Sequence, residues 1–298
     1  MTDLAVEHHV IGFQHSFKQV DGQPEPTFEA KKISTKRASI FRGFCSYHDS
    51  ALFKPLDSGI FNAGDDQLGA LYLRCIAIEL HRKAGSLSIQ SHFRELDAGL
   101  SEAHQRNHQK LIGGYVDGSE VAKTELDELF ESIIAEFSKT GSLARPEKAI
   151  WISFDGQLPF QTAGACTPIF SPNGDQLQDL GNLSINADHI AFAVFSDGEK
   201  SHAVLMSHEA SRVFDKFSNH IAGLPNGSVA DFLLNFALVQ QENTFFSPSF
   251  WEQIGSEGQE NCTALMREVV EMSPPDYTSL SIIPETGCTI RTRHRDKW

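Results

Sequence analysis

Within FRGFCSYHDSALFKPLD, residues 41–57, a thiol, an imidazole and a carboxylate fall inside five positions: Cys45, His48 and Asp49. A Cys-x-x-His pair on a tight turn can offer one sulfur and one nitrogen to a zinc ion. That is half a site, because structural zinc is usually four-coordinate. The nearest upstream imidazoles are His8, His9 and His15, about one small ββ unit away. The same stretch also reads without a metal. Phe41, Phe44, Tyr47, Leu52, Phe53 and Leu56 suit a core, and Asp49 or Ser50 suits the N-cap of a helix over SALFKPL. Asp49 could instead orient His48 by a hydrogen bond.

Other chemistry-bearing residues point to bland roles. His104 and His108 stand four apart and would share a helix face, but no Glu follows His104, so the zinc-peptidase pattern is missing. Cys166 lies in FQTAGACTPIF with no local base or cation to activate it, and reads as a buried strand thiol. SPNGDQLQD reads as a hairpin turn rather than a twelve-residue calcium loop. The sequence contains no GxSxG, Walker or dinucleotide-binding motif.

The elements that must position these residues come in blocks. The first block is short and strand-like: HHVIGFQHSFKQV, a DGQPEP turn, then TFEAKKISTKRASIF, closed by KPLDSG. Residues 65–140 carry helical spacing. One helix runs over DDQLGALYLRCIAIELHRKAG, with Leu68, Leu71, Tyr72, Cys75, Ile76 and Leu80 on one face. A second, more polar helix is expected to end at Gly113-Gly114, and a third at Gly141. Four strand patterns follow: KAIWISF, LPFQTAGACTPIF, HIAFAVFS and SHAVLMS, the last two joined by a hairpin turn at Asp197-Gly198. The rest is helical: EASRVFDKFSNHIAG, SVADFLLNFALVQ and ENCTALMREVVEM, with NTFFSPSFWEQIG as a loop between them and a last strand or hairpin in the tail. Segregated blocks predict an α+β fold. The expected order is a small N-terminal ββα-like unit with the Cys and His residues (1–60), a helical segment (61–145), then a central antiparallel sheet with a helical C-terminal part (146–298) that would form one compact domain with the helical segment.

The His-rich strand, hairpin and Cys-x-x-His-Asp order loosely resembles the HNH nucleases, whose ββα unit holds one divalent metal ion. The resemblance implies His8, Cys45, His48 and Asp49 near a zinc or magnesium ion and His9 as the general base of a phosphodiesterase. Ile40, beside Ser39, stands where that family has its middle Asn, and His48 replaces the second Cys of the usual zinc knuckle. A second likeness, in the string GFCxxHDxxxFxPLD and the later ENTFFSPSFWEQ, is to a group of uncharacterised bacterial proteins. It implies no activity, only a loose association with phage-defence loci. His48-Asp49 also invites comparison with HD phosphohydrolases, but that family's helical context before the doublet is missing.

Composition narrows the classes. The chain carries 25 Lys and Arg against 39 Asp and Glu, a formal charge of −14, which disfavours a protein that coats nucleic acid non-specifically. A local basic patch survives: Lys31, Lys32, Lys36, Arg37 and Arg42 would be the contacts if nucleic acid is a partner. The 5 cysteines are scattered and odd in number, as in a reducing compartment. MTDLAVEHHVIGF has no basic n-region or long apolar h-region, so neither a signal peptide nor a membrane span is expected, and the cytosol is the expected compartment. Two function classes remain. One is a non-catalytic interaction or sensor protein, with another protein as partner and a structural Cys/His cluster. The other is an HNH-like metal-dependent nuclease.

Overall fold

The computed structural model describes residues 4–20, 23–38, 41, 43–57, 59–208, 211–268, 274–284 and 286–294. Arg42, Ser39 and Ile40 lie outside the described residues, and so does the side chain of His15. Among the described residues, eight strands form one antiparallel sheet in the order β2-β1-β7-β4-β5-β6-β3-β8. They are β1 (His9–Val20), β2 (Gln23–Ser34), β3 (Lys148–Phe154), β4 (Phe160–Cys166), β5 (Ile190–Ser196), β6 (Ser201–Ser207), β7 (Phe245–Phe246) and β8 (Cys288–His294). The helices are α1 (Ser46–Asp57), α2 (Asp65–Ser88), α3 (Gln90–Glu95), α4 (Glu102–Thr140), α5 (Arg212–Gly223), α6 (Asn226–Gln240), α7 (Pro248–Gln253) and α8 (Gly255–Glu268). The mixed α+β class, the ββα start and the helical C-terminal part are those the sequence pattern predicts.

Both faces of the central strands are covered, and the strand period of two sorts their side chains. From β5, Ile190, Phe192 and Val194 enter a core with α5, α6 and α8. Ala191, Ala193 and Phe195 point to the opposite face, which α1, α2 and α4 cover. The α2 side of the sheet is rich in small residues, Ala149, Ala163, Ala165, Ala191 and Ala193, which lets α2 approach closely. The other core is built on aromatics. Phe192, Phe214, Phe217 and Phe236 are all 1% exposed or less, and burying each is worth roughly 1.5–3 kcal/mol. Helix α6 buries residues all round its circumference, as expected of a helix inside a layer rather than on its surface.

Three local expectations change. The chain does not break at Gly113-Gly114: α4 is one helix of 39 residues, capped by the Ser101 hydroxyl and ended by Gly141 at φ 75°. Two adjacent glycines weaken a helix but do not terminate it when packing on α2 continues beyond them. Helix α1 begins at Ser46, ahead of Asp49 and Ser50, with the Asp49 N–H already bonded to the Cys45 carbonyl at 2.9 Å. Asp49 is thus a first-turn residue and not the cap, and Tyr47, at 76% exposed, is outside the core. Finally, NTFFSPSFWEQIG contains β7 and α7.

The short strand β7 connects the halves of the sheet. Phe245 pairs with Gly12 of β1 on one side and Gln161 of β4 on the other, and Phe246 pairs with Ile11 and Phe160. A Cβ on Gly12 would sit 2.9 Å from the Phe245 ring and 3.0 Å from Ile33, so this register needs glycine there. The β1–β2 hairpin is continuous with the central sheet and forms its edge.

Candidate functional site

Cys45 and His48 meet across the first turn of α1, with Cys45 Sγ 3.4 Å from His48 Nδ1, both exposed. The Asp49 carboxylate lies 4.0 Å from the Arg74 guanidinium. His8 sits in a tight turn before β1 at φ 61° and is exposed. His9 donates from Nδ1 to the Glu7 carbonyl at 2.7 Å, and Nε2 has no hydrogen-bond partner among the described residues. The structure thus joins Cys45 to His48 but does not assemble His8, His9 or Asp49 with them into a ligand set. Among the described residues, no three His, Cys, Asp or Glu side chains converge where one ion could sit.

His9 belongs instead to a groove of about 640 Å³ between the β1–β2 hairpin, α2 and the turn after α6. Lys31, Lys32, Arg37 and Arg82 line it, together with Phe13, Phe28, Ile33 and Phe245, and with Gln14, Ser34, Glu242 and Asn243. Its construction follows from the fold. The register places Lys31 directly opposite Gly12, which has no side chain to fill the space. Phe245 fills it from below. Arg82 arrives from the second-last turn of α2 and pairs with Glu242, 160 positions away, and with Glu79 at 3.7 Å. Asn243 is held by the Thr162 hydroxyl at 3.4 Å and by the Ala163 carbonyl. Lys31 pairs with Glu29 at 3.0 Å, while Lys32 and Arg37 have no ion pair among the described residues.

Three of the five cations expected of the basic patch, Lys31, Lys32 and Arg37, therefore line one concave surface; Lys36 is exposed nearby in the turn after β2. Sequence reasoning missed Arg82, Glu242, Asn243 and Phe245. No local pattern marks them, because they join the groove only through contacts between distant segments.

Two His–carboxylate pairs resemble catalytic dyads but are closed to ligands. Trp151 Nε1–H donates to His202 Nδ1 at 3.2 Å, so His202 donates from Nε2 to Asp197 Oδ2 at 2.9 Å. Asp197 also accepts the N–H groups of Phe61, Glu199 and Lys200. Burial alone would raise the Asp197 carboxyl. The Lys200 N–H, the His202 side chain and the N–H groups of Phe61 and Glu199 outweigh it and hold the carboxyl below the usual carboxylate range. The side chains of His202 and Asp197 are 2% and 4% exposed, out of a substrate's reach. The network ties the β5–β6 turn to the segment before α2. His189, bonded to Glu125 and Thr167 at 2.9 Å each, ties α4 to the β4–β5 connection in the same way.

Of the cysteines, Cys45 is exposed and the others are buried. Burial pushes the Cys75 and Cys262 thiols up to about 12 and the Cys166 thiol well above its usual value, so these are inert at neutral pH. Among the described residues, no helix is long and apolar enough to cross a membrane. Comparison with known proteins finds no match: no family model, curated protein or solved structure is similar to this chain.

Proposed function

We propose that this chain is a non-catalytic interaction or sensor protein, and that its recognition element is the cationic groove, which takes a phosphate-bearing ligand. One observation carries the reading. In a chain of net charge −14, Lys31, Lys32, Arg37 and Arg82 share one concave surface, with Glu242 as the carboxylate among its lining residues. Cations concentrated in a cleft focus the field on an anion even when the whole molecule is acidic. On this reading the Cys45–His48 pair has no part in binding and sits at the start of α1 as a structural contact. Cytosolic placement belongs to the same proposal and is supported by the free cysteines. A setting in bacterial phage defence rests on the sequence resemblance alone.

The test is binding of inorganic polyphosphate to the full chain, by calorimetry over a range of salt. The reading expects binding that weakens with salt, and a loss of about tenfold or more in Lys32→Glu/Arg37→Glu with unchanged thermal stability. Absence of binding at low salt sinks it.

A metal-dependent phosphodiesterase of the HNH-like kind is the second reading, and the position of His9 favours it. Its Nε2 has no partner among the described residues and it lines the same groove as the cations, where a base would meet a phosphate ester. That reading requires divalent-ion-dependent cleavage of nucleic acid that His9→Ala abolishes while leaving polyphosphate binding intact.

A further inference from the structure

We infer that the outer edge of β2 takes an extended acidic segment of a partner protein as a further strand of the sheet. This goes beyond the groove reading and does not rest on it. Lys31 and Lys32 border both surfaces, but the edge recognises main-chain groups in register, not an anion in a cleft.

Strand β2 stands first in the sheet and pairs with β1, and among the described residues no strand lies beyond it. In an antiparallel pair the backbone groups alternate, one residue bonding to the neighbouring strand and the next pointing away. Proline has no N–H, so within a strand it stands where that N–H would point away from the pairing. Pro24 and Pro26, both inside the β1–β2 register, therefore mark the even-numbered residues of β2 as outward-facing. The same period makes Ala30 and Lys32 outward-facing. Among the described residues, their outward N–H and C=O groups make no hydrogen bond.

Open edges are commonly blocked by proline, by charge or by a covering element. Here the block is partial. Proline closes the first part of β2, and α8 reaches the strand at Thr27, whose hydroxyl accepts from Arg267 at 3.2 Å. From Phe28 to Ser34 the strand has no proline. Its lysines turn away a second copy. Two copies pairing this whole stretch about a two-fold would centre on Lys31 and set it opposite the same residue of the other copy. Like charges directly opposite each other are destabilising.

A strand bearing carboxylates meets the reverse condition. Lys32, Lys36 and Arg37 have no ion pair among the described residues, and Lys31 has the exposed Glu29 at 3.0 Å, a weak surface pair. Successive side chains point to opposite faces of a sheet, so Lys31 and Lys32 stand one on each face. Adjacent carboxylates on an added strand would reach both. Carboxylates two apart share a face, and the second would lie beside Glu29 or Ile33 on one face, or beside Ala30 or Ser34 on the other. The edge thus selects an extended segment with consecutive acidic residues. Main-chain pairing supplies affinity and the side chains supply specificity.

The experiment is fluorescence anisotropy with the full chain and the labelled peptide Thr-Val-Thr-Glu-Glu-Val-Thr-Val. One control peptide has Lys for both Glu. A second separates the two Glu by one Val. A third is N-methylated on both Glu amides, which removes a donor from each edge of the peptide. Expected are binding that weakens with salt, a loss of about tenfold or more with the Lys peptide, weaker binding of the separated peptide, and no binding of the N-methylated one. Ala30→Pro repeats at position 30 what Pro24 and Pro26 do, so it should abolish peptide binding while thermal unfolding and polyphosphate binding stay unchanged. The N-methylated peptide makes the same test on the natural chain. If it binds as tightly as its parent, charge alone holds the peptide and the inference is overturned. A dimer of the natural chain in sedimentation that Ala30→Pro disperses gives the edge to a second copy and also overturns it. Equal binding of the separated peptide overturns the selection of consecutive carboxylates. Polyphosphate binding without peptide binding overturns this inference and leaves the groove reading standing; peptide binding without polyphosphate binding does the reverse.

Discussion

The indole N–H of Trp151 approaches His202 Nδ1 to 3.2 Å, and this contact decides which nitrogen of the ring carries the proton. An indole can only donate, so Nδ1 accepts and Nε2–H is committed to Asp197. A His–Asp pair that reads as catalytic in isolation is thereby a closed internal brace. His202→Ala removes one hydrogen-bond partner from each neighbour inside a buried site. It should cost about 2–3 kcal/mol, measured by urea denaturation, without altering polyphosphate binding.

The Asp197 carboxyl adds a pH dependence. In the folded protein it is held below its unfolded value, so the ionised form stabilises the fold. That contribution is complete above roughly pH 4 and is lost as pH falls through the lower folded value. The stability advantage of the natural chain over Asp197→Asn should therefore shrink from near-neutral pH toward about pH 3. A difference constant across this range would show that the charge on Asp197 is not what is stabilised.

Glycines along α4 should respond with opposite signs. Around Gly113 and Gly114 a Cβ would meet nothing within 4 Å, so alanine at either should stabilise by about 0.5–1 kcal/mol. Gly141 holds φ 75° where the helix ends, and alanine there should destabilise by about 1 kcal/mol. Thermal unfolding of the three variants checks this. A helix broken at Gly113-Gly114 would lose stability, not gain it, in the first two.

Thiol accessibility separates Cys45 from the rest. Labelling of the native protein with an aromatic disulfide should be fast at Cys45 and slow at Cys75, Cys166, Cys262 and Cys288 until denaturant is added. Cys45→Ser should remove the fast phase. A fast phase that persists would mean that a buried strand or helix opens readily.

Much of the fold was legible because its signals are local. The turn residues Asp197-Gly198, the apolar β-rich run in KAIWISF and the apolar face of α2 each lie within one short window. The N-terminal basic cluster was visible for the same reason. The extent of α4 was not, because local propensity at two glycines competes with packing contributed from elsewhere. Nor was β7 visible, since two residues carry no period.

By itself, then, the sequence determined most of the segments that become strands and helices, which side chains are apolar, and that Cys45 and His48 fall on one turn. The tertiary structure alone decided that, among the described residues, no three ligand side chains converge at that turn, that β7 extends the sheet to the N-terminal hairpin, and that Arg82 and Glu242 meet in the groove that Lys31 and Lys32 line. The reason is physical. Periodicity and capping act over a few residues, whereas a groove forms where separated surfaces pack, and its members share no pattern until the chain has folded.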